Sequence, residues 1–258
     1  MIESLFRELA VLPEVEAIAL GGSRAGEVFD EKSDYDVYLY CTKAVSEDKR
    51  RKILEKYCSY MELGNSFWEY EDNCTLNNGI DIDILYRDLD TFANGLAQVM
   101  ENFQPCNGYT TCMWHNLKNC KIIYDRDGRL QALKERFDIP YPKQLKANII
   151  ERNLKLLIDA MPAYKLQIEK AVGRGDLVSI CHRTAAFMES YFDIIWALNE
   201  QSHPGEKRLV SLCKKNCSLL PADFEENINR LYADLYTKPE CIEADLERII
   251  LELKKIIQ

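Results

Sequence analysis

Gly21-Gly22-Ser23-Arg24-Ala25-Gly26-Glu27-Val28-Phe29-Asp30-Glu31-Lys32-Ser33-Asp34-Tyr35-Asp36-Val37-Tyr38-Leu39 is the stretch on which the fold turns. An apolar run, Ile18-Ala19-Leu20, ends in the two glycines, and ten residues separate Ser23 from Asp34-Tyr35-Asp36 at the head of a second apolar run. The pattern predicts strand, glycine turn, short helix, strand. Residues two apart on a strand share a face, so Asp34 and Asp36 are expected to present their carboxylates together. Paired carboxylates repel unless a cation neutralises them, and hard oxygen ligands suit Mg²⁺. Glycines without a Cβ let backbone N–H groups approach a ligand closely, and a following helix N-terminus favours an anion. A phosphate on one side and a metal on the other describe a nucleoside triphosphate site.

Further on, Ile80-Asp81-Ile82-Asp83-Ile84-Leu85-Tyr86 alternates strictly and places Asp81 and Asp83 on one strand face. The combination of Gly-Gly-Ser, ten residues, Asp-x-Asp and a later acidic strand resembles the polymerase-beta-type nucleotidyltransferase superfamily. The resemblance covers about the first third of the chain. It implies transfer of a nucleoside monophosphate from an NTP, with Asp34, Asp36 and a third acid holding two Mg²⁺ ions. Asp83, inside the apolar strand, fits the third position better than Asp81 at the strand's start. The resemblance also implies that Gly22 and Ser23 donate to phosphate oxygens, and Arg24 and Arg87 are the candidate nucleotide-binding cations beside them. Asp83 then helps remove the acceptor hydroxyl's proton, and replacing Asp34 or Asp36 by Asn is expected to abolish transfer.

Composition narrows the context. A chain of 258 residues, 47% hydrophobic and 29% charged, suits one large soluble domain or two small ones. No run approaches the ~18 apolar residues of a membrane span, and Met1-Ile2-Glu3-Ser4 lacks a basic stretch before an apolar core, so a cytoplasmic protein without membrane partners is expected. The net charge of −9 argues against a nucleic-acid surface. Ten cysteines show no C-x-x-C pair and no finger-like spacing with His115, His182 or His203, so they read as reduced, small apolar residues.

Along the chain, Ile2 to Ala10 is expected to be a helix closed by Pro13, and Val15 to Leu20 the first strand. Ser46 to about Tyr60 reads as a helix whose Lys49-Arg50-Arg51-Lys52 run is a solvated face. Phe67 to Tyr70 and Cys74 to Leu76 read as short strands, with Glu69 and Glu71 at the surface, and Asn77-Asn78-Gly79 as a hairpin turn delivering Asp83 beside the Asp36 strand. Arg87 stands between two readings, a triphosphate contact or a pair with Asp88 or Asp90. A helix to about Glu101, a short helix over Thr111–Leu117 and an edge strand over Lys121–Tyr124 follow.

From Arg129 onward helical periodicity takes over: 130–137, 144–161, 164–174, 176–200, 210–216, 221–236 and 239–257. Pro140-Tyr141-Pro142 is a rigid linker. The expected fold is therefore α+β: a nucleotidyltransferase domain over 1–138, with a mixed sheet and flanking helices, then a helical domain over 143–258. Ile180, Ala185, Phe187, Met188, Tyr191, Ile194, Ile195 and Leu198 form an apolar stripe.

A helical half after such a domain is similar to the antibiotic nucleotidyltransferases acting on aminoglycosides and lincosamides. That similarity implies ATP or another NTP as donor and a small hydroxylated acceptor bound by the second half. His182, Arg183, Glu189, Tyr191, Tyr109 and His115 are the candidate acceptor residues, and a homodimer stays open. Two other readings remain: an AMP-transferring antitoxin or protein-modifying enzyme, and a nucleotide-binding regulatory module with little turnover.

Overall fold

The computed structural model describes residues 2–25, 33–67 and 69–257; the Ser23 side chain and the 26–32 part of the opening motif lie outside the described residues. The chain divides into two compact units, one of residues 1–97 and 116–139, the other of 98–115 and 140–258. The segment 98–115 thus joins the helical unit.

In the first unit, α1 (Ile2–Ala10) leads into β1 (Val15–Leu20) and β2 (Tyr35–Cys41). Then come α2 (Glu47–Leu54), β3 (Cys58–Asn65), β4 (Glu71–Leu76), β5 (Asp81–Arg87) and α3 (Leu89–Met100). The helix α4 (Cys112–Asn119) starts in the 98–115 segment and ends in this unit, which β6 (Lys121–Asp125) and α5 (Arg129–Arg136) close. Among the described residues one mixed six-stranded sheet forms, in the order β3-β4-β5-β2-β1-β6, as the α+β expectation requires. β4 and β5 are antiparallel because Gly79, at φ +81°, closes a tight turn that residues with a Cβ rarely adopt. β2 and β5 are parallel, since α2, β3 and β4 provide the crossover between them.

The two sheet faces differ sharply. Val37, Leu39, Ile82, Ile84, Cys74 and Leu76 line one, packed with Leu5, Phe6 and Leu9 of α1 and Ile53 and Leu54 of α2 in one apolar core. Alternation then puts Asp36, Tyr38 and Tyr40 of β2, and Asp83, Leu85 and Arg87 of β5, on the other.

Several expectations need correction here. The helix from Ser46 stops at Leu54, and Cys58–Asn65 is the edge strand β3, with Gly64 at φ +76° among its irregular pairings. Phe67, Glu69 and Tyr70 lie in the β3–β4 connection rather than a strand, and Trp68 lies outside the described residues. The Lys49–Lys52 run is not a uniformly solvated face, because Arg50 is 1% exposed. Arg50 precedes Ile53 and Leu54 by three and four residues, so it shares their inward side. There it donates to Asp72 and, at 2.8 Å, to the Tyr70 hydroxyl.

In the second unit follow α6 (Lys143–Leu154), continued by a π turn over Lys155–Asp159, then α7 (Tyr164–Gly173) and α8 (Leu177–Leu198). The last helices are α9 (Leu209–Asn216), α10 (Phe224–Thr237) and α11 (Ile242–Ile257). Asp176 caps α8, its carboxylate accepting from Ser179 N at 3.1 Å. The 22 residues of α8 supply the stripe around which this unit packs; Ile180, Phe187, Met188, Tyr191, Ile194, Ile195 and Leu198 are in the core, whereas Ala185 is exposed. Tyr191 is 1% exposed, stacked between Phe187 and Phe224, so it is a core residue and not an acceptor contact. Among the described residues no helix is long and apolar enough to cross a membrane, and the ten cysteines are unbridged.

Candidate active site

The two glycines of the opening motif are needed for different reasons. Gly21 N donates to Asp36 O at 2.7 Å, continuing the β1–β2 pairing past the end of β1, and a Cβ here would sit 2.4 Å from the Tyr38 ring. Gly22 has φ +58°, and a Cβ built on it would lie 1.7 Å from Asp36 Oδ2. The Asp36 carboxylate thus occupies the space that a side chain at position 22 would fill. Gly22→Ala is expected to push that carboxylate aside and to cost about 1 kcal/mol in backbone strain. Urea denaturation of the variant measures this cost.

Asp36 and Asp83 are direct partners in the parallel β2–β5 register, so two carboxylates stand side by side on the half-buried face. Asp83 Oδ1 accepts from Asn73 Nδ2 at 2.8 Å, across the β4–β5 ladder. Asp81 also accepts a hydrogen bond, from Thr75 Oγ1 at 2.8 Å, but at an exposed position. The register therefore puts Asp83, and not Asp81, opposite Asp36. Asp34 lies one residue before β2 begins and is exposed. Arg24 sits in a 3-10 turn, Ser23–Ala25, its Nε 2.5 Å from Ser33 O and its guanidinium 4.0 Å above the Tyr35 ring.

Arg87 pairs with neither Asp88 nor Asp90. Its Nε and Nη2 donate to Glu69 Oε2 and Oε1 at 2.8 and 2.7 Å, and its guanidinium lies 4.1 Å over the Tyr38 ring. Burial works against its charge, but the Glu69 carboxylate more than offsets this and holds its pKa above the ordinary value. Nη1 is buried without a hydrogen-bond partner. Glu69, expected at the surface, is thus the residue that fixes Arg87, and Asn73 is a polar neighbour of the acids that the residue pattern alone did not single out.

Among the described residues no three His, Cys, Asp or Glu side chains gather into a ready-made metal site. The Asp36–Asp83 pair nevertheless fits Mg²⁺, which commonly takes one or two protein carboxylates and completes its shell with substrate phosphates and water. Gly22 bears on this fit because only a residue without a Cβ lets the Asp36 carboxylate stand where it does, next to position 83 on the neighbouring strand.

The helical unit has its own polar centre. Asp193 on α8, 1% exposed, accepts from Thr110 N at 3.0 Å, Thr110 Oγ1 at 2.6 Å and Asn153 Nδ2 at 3.0 Å. His203 N donates to Thr111 Oγ1 at 2.9 Å, and Asn148 Nδ2 to Phe103 O at 2.8 Å. These bonds tie 98–115 to the helices of its unit. The His115 ring is 2.8 Å from Ser202 Oγ, and Tyr109 meets the buried His203 ring edge-on at 4.9 Å. Burial, then the charge of Glu206, raises the pKa of Glu189, while His182 and Arg183 are exposed on α8.

Burial pushes the Asp193 carboxyl up from 3.8 to about 6, against the lowering effect of its three donors. A carboxyl with a raised native pKa adds stability that is complete below the unfolded value and is lost as pH rises through the native one. Its contribution should fall by about 3 kcal/mol between pH 3.8 and 6. Asp193→Asn is expected to flatten this window in urea denaturation at pH 4.5 and 7. An unchanged pH slope in the variant would refute the assignment; the neighbouring Cys106, Cys112 and Tyr141 titrate above this range.

Residues 110–209 match a family described only as a domain of unknown function (DUF4037). No curated protein matches the chain. Among solved structures, a nucleotidyltransferase-like protein from Exiguobacterium sibiricum 255-15 is 12% identical, with a TM-score of 0.46, over 100% of this chain and 75% of that one. An aminoglycoside 6-adenyltransferase from Bacillus subtilis is 10% identical, with a TM-score of 0.31, over 100% of this chain and 90% of that one.

Proposed function

We propose that this protein transfers a nucleoside monophosphate, AMP by preference, from an NTP to a hydroxyl of a small molecule and releases pyrophosphate. The observation that carries this reading is the Asp36–Asp83 pair on adjacent parallel strands, set against the glycine turn at the end of β1. Two neighbouring carboxylates beside a glycine turn suit a cation–triphosphate substrate better than they suit a structural role, in which like charges side by side destabilise a sheet.

In this mechanism Asp36 and Asp83 would hold Mg²⁺, with Asp34 completing the acidic set, and the ion would neutralise phosphate charge and polarise the α-phosphorus. Backbone N–H groups of Gly22 and Ser23 orient the triphosphate tail. Arg24 and Arg87 supply positive charge, Arg87 as a guanidinium pre-set by Glu69 and Tyr38. Asp83 receives the acceptor hydroxyl's proton as its oxygen attacks the α-phosphorus. The bond to the bridging oxygen breaks, and pyrophosphate departs with the electron pair. Acceptor selection is assigned to the helical unit, where Glu189 and Glu206 lie near Tyr109 and favour an amine-bearing, aminoglycoside- or lincosamide-like polyol.

The test is pyrophosphate release from each of the four NTPs with Mg²⁺, against pooled aminoglycosides, lincosamides and other polyols, with Asp34→Asn as control. Acceptor-dependent release that the variant lacks supports the reading. NTP binding without release in any pool would replace it by a protein acceptor or a regulatory nucleotide-binding module.

A further inference from the structure

We infer that Asn73, backed by Asn65, is a positioning residue for Asp83, so that the site includes an amide relay reaching it from the edge of the sheet. This inference rests on the proposed role of Asp83. Asn65 Nδ2 donates to Asn73 Oδ1 at 2.7 Å, and Asn73 Nδ2 donates to Asp83 Oδ1 at 2.8 Å. Glu62 Oε2 lies 3.3 Å from the same Asn65 nitrogen at the outer end. The chain crosses β3, β4 and β5 in one direction and stops at the acid that stands opposite Asp36.

The chemistry fixes the direction of each link. A carboxylate offers only acceptors, so Asn73 must turn its NH₂ toward Asp83 and its carbonyl away. That carbonyl then needs a donor, which Asn65 supplies with its own NH₂, and Glu62 in turn receives from Asn65. Neither amide can flip without placing like groups against each other, so the relay has one orientation. A donor locked on Oδ1 sets the rotation of the Asp83 carboxylate about Cβ–Cγ. Orienting a first ligand through a hydrogen-bonded partner is a general means of tuning a metal or phosphate site.

A purely structural reading treats Asn73–Asp83 as one cross-strand pair among many. Each such pair is worth little to a sheet, and Asp81–Thr75, two residues away on the same hairpin, is an internal control of equal length and similar geometry. The positioning role predicts that losing the Asn73 amide damages the site far more than the fold. Losing the Thr75 hydroxyl should do neither.

The experiment compares wild type, Asn73→Ala, Asn73→Ser, Thr75→Ala and Asp83→Asn. Mn²⁺ binding in the presence of α,β-methylene-ATP is followed by electron paramagnetic resonance, and thermal unfolding is followed in parallel. Asn73→Ala is expected to weaken Mn²⁺ binding roughly 10- to 100-fold, with the melting point close to wild type. Asn73→Ser, which keeps a donor, should recover part of the loss, and Thr75→Ala should match wild type. If Asp83→Asn loses Mn²⁺ while Asn73→Ala keeps it, the relay is refuted and Asp83 stands. If both retain Mn²⁺ at wild-type affinity, the assignment of Asp83 fails and the relay with it. A drop in melting point for Asn73→Ala with unaltered Mn²⁺ binding would reduce Asn73 to a structural pair.

Discussion

Asn in place of Asp36 is expected to lower nucleotidyl transfer roughly 100- to 1000-fold, the scale on which removal of one preorganised charge-stabilising group is felt. The substitution is nearly isosteric. It keeps the side chain in the space beside Gly22, and it leaves the Gly21 N to Asp36 O backbone bond of 2.7 Å in place. What changes is the charge facing Asp83, so the melting point should hold or rise as a like-charge pair is relieved. Asp83→Asn should behave in the same way. Asp81→Asn is the informative contrast, because Asp81 has the same residue type and sits on the same strand, yet it is exposed and bonded to Thr75. Transfer retained by Asp36→Asn, or lost equally in Asp81→Asn, would contradict the assignment of the acids by register.

Half of that arrangement was within reach of the sequence. A hairpin centred on Asn78 puts positions five residues to either side, Asn73 and Asp83, opposite one another, and the alternation over Ile80–Ile84 puts Asp81 and Asp83 on one face; which of the two meets Asp36 depends on the β2–β5 pairing, which no local pattern marks. The long-period helices of the second half were legible for the same reason: their apolar repeats are strong and bounded by Asp176, Pro239 and glycines. What stayed hidden depended on partners distant in the chain. Glu69 is separated from Arg87 by a whole hairpin, and nothing local marks it as anything but a surface acid. The 98–115 segment belongs to the helical unit because one carboxylate, Asp193, receives both polar hydrogens of Thr110, 83 residues earlier. An acid in the apolar stripe of α8 was the available signal, since burying such a group requires donors from somewhere. The edge strand β3 escaped because it mixes Ser59, Glu62 and Gly64 with apolar residues and follows a charged helix without a proline or glycine break.

Arg50→Met should destabilise the first unit by about 3–5 kcal/mol, the cost of removing one member of a buried ion pair. Arg50 and Asp72 have side chains 2% and 0% exposed, on the sheet face that also carries Ile82, Ile84 and Leu76. Asp72 Oδ1 accepts from Arg50 and from Gly64 N at 2.8 Å, and Oδ2 accepts from Tyr86 OH at 2.7 Å. The guanidinium also lies 4.9 Å from the Tyr86 ring centre and donates to Tyr70 OH at 2.8 Å. Methionine fills the volume but leaves a carboxylate in an apolar core with two neutral donors, which do not replace a full charge. Asp72→Asn should cost a similar amount, because it leaves the Arg50 guanidinium buried without its counter-charge. The double variant Arg50→Met/Asp72→Leu should recover more than half of the single loss, since no isolated charge remains. Urea denaturation of the full chain measures all three, and the effect should persist in 0.5 M salt because buried pairs are weakly screened. If Arg50→Met costs under about 1 kcal/mol, the value of an exposed pair, the arginine is solvated in solution and the charged run on α2 is the open face that its composition suggests. A cost that disappears entirely in the double variant would show that the buried pair adds no net stability over an apolar one.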